Sequence, residues 1–267
     1  MKTIHELMLL KDRVAVVTGG AGYVGSIVCE ALAEAGASVV VLDIAQKQCD
    51  RIAASIATRF GIEAIPLHVD LSVESEVRSI PERVLAHFGK LNILVNCAAL
   101  VGTSDLDGWT VAFEKQCAKI WRKALEVNLT SVFILVQACA DALRSAGKTS
   151  IVNVSSIYGI VGPDMRLYEG THMGNPAAYA ASKGGLVQLT RWLATVLAPE
   201  IRVNALSMGG IYRNQDDVFV KKYTERTPLS RMGTEEDVKG AIVYLASDMS
   251  AYVTGQNLLV DGGWTVW

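Results

Sequence analysis

Apolar positions along this chain change period repeatedly. Short runs rich in β-branched residues lie at 13–18 (Arg-Val-Ala-Val-Val-Thr), 39–42 (Val-Val-Val-Leu), 63–69, 91–95 (Leu-Asn-Ile-Leu-Val), 151–154 (Ile-Val-Asn-Val), 201–206 and 257–260. They read as buried strands rather than alternating half-exposed ones. Between them come helical segments: an Ala-rich stretch ending at Gly36, then 46–60, 73–88, a long one over about 113–145, one from Ala177 onward, and 234–246. Strand and helix alternating at this length predict an α/β domain with a seven-stranded parallel sheet wound on both faces and a ligand at the carboxyl ends of the strands. Polar, glycine-bearing stretches at about 100–112, 157–175 and 207–232 are expected as loops around the substrate mouth. No linker divides the chain, so residues 1–267 are expected to form one domain.

Composition narrows the class. A hydrophobic content of 51% against 19% charged residues suits a sheet covered on both sides and excludes a disordered chain. The net charge of −2 offers no footprint for nucleic acid or an anionic membrane. No apolar run reads as a membrane span, and no charged segment followed by an apolar core and cleavage site opens the chain, so a cytoplasmic protein is expected. The five cysteines (29, 49, 97, 117 and 139) are scattered with no pair at metal-ligand spacing. They are expected as reduced interior thiols, with no metal site.

Candidate chemistry gathers at the strand ends. Gly19, Gly20, Gly22 and Gly25 stand between the first strand and the first helix, the layout in which backbone amides and a helix dipole receive a phosphate. Asp43 closes the second strand, where a carboxylate can accept hydrogen bonds from ribose hydroxyls. It would repel a 2′-phosphate by roughly 4 kcal/mol per close charge pair at an effective dielectric near 20. NAD is therefore expected over NADP. Asp70 and Asn96 occupy two further strand ends, as ligand contacts or as loop caps. Asn128 lies inside the long helix, either at a kink that frees a carbonyl for a water or as a satisfied structural amide.

The sharpest feature is Tyr179-Ala-Ala-Ser-Lys183, with Ser155-Ser156 upstream at a strand end and Asn175-Pro176 placed to cap the helix. Of the eight tyrosines only Tyr179 has a lysine four residues on, one turn away on the same face. A free phenol, with a pKa of roughly 10, is a poor base at neutral pH. A fixed lysine charge in a partly dry cleft is expected to lower it.

Together these residues spell a family. Thr18 to Gly25, Asp43, Asp70, Asn96-Cys97-Ala98-Ala99, Asn128, Ser156, Tyr179 with Lys183, Arg202-Val203-Asn204, Pro228 to Gly233, and Thr254-Gly255-Gln256 with Asp261-Gly262-Gly263 resemble the short-chain dehydrogenase/reductase family over nearly the whole chain. The resemblance implies a single Rossmann domain and hydride transfer between nicotinamide and a secondary alcohol or carbonyl, possible substrates including a sugar or polyol. It implies Tyr179 as general acid/base, Lys183 lowering its pKa, Ser156 bonding the substrate oxygen and Asn128 holding a relay water. It assigns the cofactor to Gly19, Gly22, Tyr23, Val24, Gly25, Asp43, Asp70, Leu71, Asn96, Ala98, Tyr179, Lys183, Gly209 and Ile211. It further implies a homo-oligomer, tetramer or dimer, at whose contact the terminal Trp264 and Trp267 would pack.

Departures also stand out. Gly22 rather than residue 23 is the middle glycine, a pattern similar to the branch acting on nucleotide sugars, and Met208 replaces a proline. Tyr179 lies 23 residues beyond Ser156, about twice the family's usual gap. The longer loops carry Asp105, Asp107, Asp164, Arg166, Glu169 and His172, which could bond a polyhydroxylated substrate or simply be solvated; His172 is expected exposed. Ser156-Ile157-Tyr158-Gly159, Pro163-Asp164 and Tyr168-Glu169-Gly170 are similar to dehydrogenases of bacterial flagellin-modifying and sialic-acid-like sugar pathways. Two other functions stay open: an epimerase or dehydratase using held NAD, and a dinucleotide-binding protein without turnover.

Overall fold

The computed structural model describes residues 1–102, 104 and 106–267. Seven strands, β1 (Val14–Thr18), β2 (Ser38–Asp43), β3 (Ala64–His68), β4 (Ile93–Asn96), β5 (Thr149–Ser156), β6 (Ile201–Met208) and β7 (Asn257–Val260), form one parallel sheet in the order β3-β2-β1-β4-β5-β6-β7. The predicted doubly wound α/β architecture is present. β1 sits at the switch point, where successive connections run to opposite sides and a crevice opens at the strand ends.

Alternation along each strand divides the apolar residues between two cores. Val14, Val16, Val40, Leu42, Leu94, Ile151 and Val203 meet helices Glu74–Phe88, Ser131–Ala146 and Ala177–Leu197 on one face. Ala15, Val17, Val39, Val41, Ile93, Val95, Val152 and Val154 meet Tyr23–Glu34, Gln46–Phe60 and Glu235–Ala246 on the other. Numbered in chain order, the helices are α1 (Ile4–Met8), α2 (Tyr23–Glu34), α3 (Gln46–Phe60), α4 (Glu74–Phe88), α5 (Ala118–Leu125), α6 (Ser131–Ala146), α7 (Ala177–Leu197), α8 (Asp217–Arg226) and α9 (Glu235–Ala246). The short α1 escaped the sequence reading although its signal was there: Thr3 and Glu6 form a reciprocal capping box.

The long helix differs from expectation. It starts at Ala118 after a 3-10 turn at Phe113–Lys115, and a π-helical turn, Glu126–Thr130, joins α5 to α6. The continuous Ala118–Ala146 helix is, by length and composition alone, apolar enough to cross a membrane, contrary to the expectation that no run would be. Its Val132, Leu135, Val136, Cys139 and Leu143 face the sheet core instead. Cysteines 29, 49 and 139 are buried as expected, whereas Cys117 is exposed at the start of α5.

Trp264 packs within its own chain. It is 1% exposed, stacked on Tyr223 at 5.9 Å between centroids, edge-on to Tyr158 at 5.9 Å, and covered by the Arg226 guanidinium at 4.3 Å. The apolar ending is thus explained in part by an internal aromatic cluster; Val266 and Trp267 stay exposed, and the Trp267 indole donates to the Arg226 carbonyl at 3.0 Å.

Candidate active site

The glycine turn is closed by backbone against backbone. A Cβ on Gly25 would lie 1.9 Å from the Gly19 carbonyl oxygen, and one on Gly19, whose φ is +65°, would lie 2.7 Å from Ala98 Cα. Only glycine fits such approaches. Thr18 Oγ1 accepts from the amides of Cys97 (3.1 Å) and Ala98 (3.2 Å), drawing the end of β4 against the turn. α2 then begins at Gly22 with no side-chain cap, so its first amides are open to an anion. Asp43 braces the rim, its carboxylate accepting from Ala21 N (3.2 Å) and Ala45 N (3.1 Å).

Beyond the turn a cleft of about 450 Å³ brings Tyr23, Val24, Ser156, Tyr179, Lys183, Gly209 and Ile211 to one wall system. Ser156 arrives as the last residue of β5, two residues further than the strand expected from sequence, and its Oγ accepts from Tyr158 N at 3.2 Å. Tyr179 and Lys183 come from the first turns of α7. The predicted cap differs: Pro176 itself is the cap residue, Ala177 N donates to Gln116 Oε1 at 3.1 Å, and Asn175 turns to the cleft.

The electrostatics overturn one expectation. Lys183, 3% exposed, donates from Nζ to the Val154 carbonyl at 2.8 Å and lies 5.8 Å from the centre of the Tyr179 ring. Burial pushes its pKa down to about 8. Burial also pushes the Tyr179 phenol up, with the Ser156 hydroxyl acting in the opposite direction. The expected lowering of the phenol is therefore not seen here: burial outweighs the one group that pulls it down, the Ser156 hydroxyl.

Asn128 is wholly buried in the π turn. Its Oδ1 accepts from Leu100 N at 2.7 Å, and its Nδ2 donates to Leu100 O at 3.1 Å and Ser182 Oγ at 3.0 Å. Of the two sequence alternatives the satisfied amide is the one seen, and it sits in a π-helical turn. Asn96 donates to Asn153 Oδ1 at 2.8 Å, and its own Oδ1 is buried without a partner. Asp70 caps its own loop through Ser72 N and Oγ (2.8 and 2.7 Å), while Leu71 packs onto the core; neither lines the cleft.

The charged residues of the insertions also turn elsewhere. Asp164 is clamped by Arg166 (2.7 Å) and Arg226 (2.5 Å), and Lys222 on α8 binds the carbonyls of Arg166 and Glu169. His172 and Asp107 are exposed, and Asp105 lies outside the described residues. The insertion instead presents Tyr168, Met173, Gly174 and Asn175 to the cleft. Tyr168 donates to the Tyr158 hydroxyl at 3.0 Å, and burial pushes both phenols up. Phe219 and Tyr223 of α8 also line the cleft and were not singled out in the sequence, where nothing separates them from ordinary core positions.

With this geometry in place, the comparisons with known proteins decide the family. The family model described as enoyl-(acyl carrier protein) reductase matches residues 19–265. A cis-4-hydroxycyclohexanecarboxylate dehydrogenase of Sinomonas cyclohexanicum is 35% identical over 262 residues, covering 95% of this chain and 97% of that protein. The chain belongs to the short-chain dehydrogenase/reductase family. It is an oxidoreductase acting on CH–OH groups. The post-translational flagellin modification protein A of Campylobacter coli is 28% identical over 259 residues, covering 96% and 99% of the two chains. Among solved structures, a gluconate 5-dehydrogenase of Burkholderia cenocepacia, in complex with NADP and tartrate, superposes with a TM-score of 0.88 at 28% identity, covering 99% of this chain and 100% of that one.

Proposed function

We propose that this short-chain dehydrogenase/reductase moves a hydride between a nicotinamide dinucleotide and the CH–OH carbon of a small hydroxylated substrate, with Tyr179 as the proton donor and acceptor. The observation that carries the reading is that Ser156, Tyr179 and Lys183 open into the same cleft as the uncapped start of α2. The residues suit a dinucleotide: a turn that only glycine can fill, free helix amides and a strand-end carboxylate. When bound, the nicotinamide would give the hydride in the reduction direction and accept it in the alcohol direction. Gly19, Gly22, Tyr23, Val24, Gly25, Asp43 and Lys183 would hold the dinucleotide, with Asn96, Ala98, Gly209 and Ile211 around them.

The protein's own groups handle the proton. Ser156 Oγ fixes the substrate oxygen against Tyr179 Oη. The raised phenol pKa keeps Tyr179 protonated and ready to give its proton to a carbonyl oxygen; in the alcohol direction the Lys183 ammonium stabilises the phenolate that forms. Tyr158, Tyr168 and Met173 exclude water from the reacting end. Asn128 ties Leu100 to Ser182, one residue before Lys183, so in this reading it positions the ammonium and a relay water at the kink.

A panel of polyols, sugars, cyclic alcohols and hydroxy acids, each with NAD and NADP, tests the reading by the absorbance of the reduced nicotinamide. Turnover of a hydroxylated substrate is expected; dinucleotide binding without turnover of any member would oppose it.

Asp43 favours NAD in this reading, although the Burkholderia neighbour holds NADP. Asp43→Ala is expected to narrow the NAD-over-NADP ratio of kcat/KM by about tenfold or more, the size of one close charge repulsion removed at a partly exposed rim. A wild-type chain that already prefers NADP would refute the assignment.

A further inference from the structure

Tyr23, which takes the place of a glycine in the dinucleotide turn, and Arg213, in the loop beyond β6, are far apart in sequence and stacked in the fold. The Arg213 guanidinium lies 4.4 Å from the centre of the Tyr23 ring. Its nearest carboxylate, Glu235 Oε1, is 3.7 Å from Nε, beyond hydrogen-bond range. Nε and Nη2 are both shut off from solvent and have no hydrogen-bond partner. Buried donors are normally paired, so two orphans on one rigid fork mark a place for an acceptor.

The loop is built to hold the fork there. Arg213 N donates to Gln215 Oε1 at 2.6 Å, and Gln215 Nε2 returns to the Ile211 carbonyl at 2.7 Å. Among the described residues lining the cleft there are two cations, Lys183 and Arg213, and no carboxylate. The Lys183 ammonium is committed to Val154 O, whereas the Arg213 fork, ion-paired to Glu235 only at 3.7 Å and with Nε and Nη2 unbonded, lies beside the first residue of α2. Helix N-termini favour phosphate through their open amides and dipole. A planar fork matches two phosphate oxygens at once.

We infer that Arg213 clamps the diphosphate of the bound dinucleotide from the loop beyond β6, opposite the α2 amides, and that Tyr23 is the residue that positions it. The claim rests on the reading of this cleft as a dinucleotide site. Burial lowers the Arg213 pKa, with Glu235 acting in the opposite direction. An arriving diphosphate would bring the acceptors that Nε and Nη2 lack.

Calorimetric titration with ADP-ribose, which carries the diphosphate and no nicotinamide, separates the outcomes. Arg213→Met should weaken ADP-ribose roughly tenfold or more and flatten its salt dependence, as expected for charge-assisted bonds. Arg213→Lys should keep the salt dependence at intermediate affinity, which tests the same claim if the methionine variant melts early. Tyr23→Leu should cost a few-fold in the wild-type background and nothing further beside Arg213→Met, because the ring acts only through the guanidinium. ADP-ribose affinity within about twofold of wild type in Arg213→Met would overturn the proposal. A raised KM for a carboxylated substrate with ADP-ribose binding unchanged would instead give the fork to the substrate. Failure of the wild-type chain to bind ADP-ribose would remove the dinucleotide reading itself.

Discussion

Tyr179→Phe is expected to lower kcat by about three orders of magnitude while NADH binding, followed by fluorescence, changes little. The phenol reaches the cleft from the first turn of α7, and loss of a positioned general acid costs roughly 10²–10⁴-fold. Phenylalanine keeps the ring that lies against Lys183 and removes only the oxygen beside Ser156. Binding should survive because the glycine turn and the open amides of α2 lie on elements other than the α7 helix that carries the substituted ring. The pH dependence sharpens the test. With the phenol pushed up by burial, the reduction direction should hold its rate through neutral pH, and oxidation should speed up as pH rises and phenolate becomes accessible. An unchanged kcat would remove the phenol from the mechanism.

The sheet was legible because every strand is a local apolar run and every connection is helical, so pattern and topology agree. The Tyr179, Lys183 and Ser156 grouping was legible for the same reason: a helix repeat and a strand end determine where three side chains go. What could not be read depends on partners distant in sequence. Asp164 could be read from its loop as a substrate contact or a solvated side chain, yet Arg226, far away on α8, adds one bond to the fork that Arg166 already makes to it. Trp264 was expected at a subunit contact, yet it packs against Tyr223 and Arg226 of its own chain. The rise of the phenol's pKa could not be read because a four-residue step reports the distance to a lysine but not how far Lys183 is buried or how dry the cleft is around the ring.

That depth makes Lys183 a residue kept at the expense of stability. Its pKa falls from 10.5 to about 8 on folding, so between pH 8 and pH 10.5 the unfolded chain holds a proton that the native chain does not. Stability therefore rises with pH across that window, and below pH 8 the fold carries the full penalty, roughly 3 kcal/mol at 1.36 kcal/mol per unit. Lys183→Met keeps the length of the side chain and removes the charge. It also forfeits the bond to Val154 O, a loss of about 1 kcal/mol. The variant should melt roughly 5 °C above wild type at pH 7 while losing most activity. As pH rises above 8 the advantage should shrink, and near pH 10.5 it should reverse, since the neutral lysine then keeps its hydrogen bond at no ionic cost. Melting curves of the two proteins at pH 7 and pH 10 measure the crossing. A variant less stable than wild type at pH 7 would mean that the ammonium is solvated in a way its 3% exposure does not reveal.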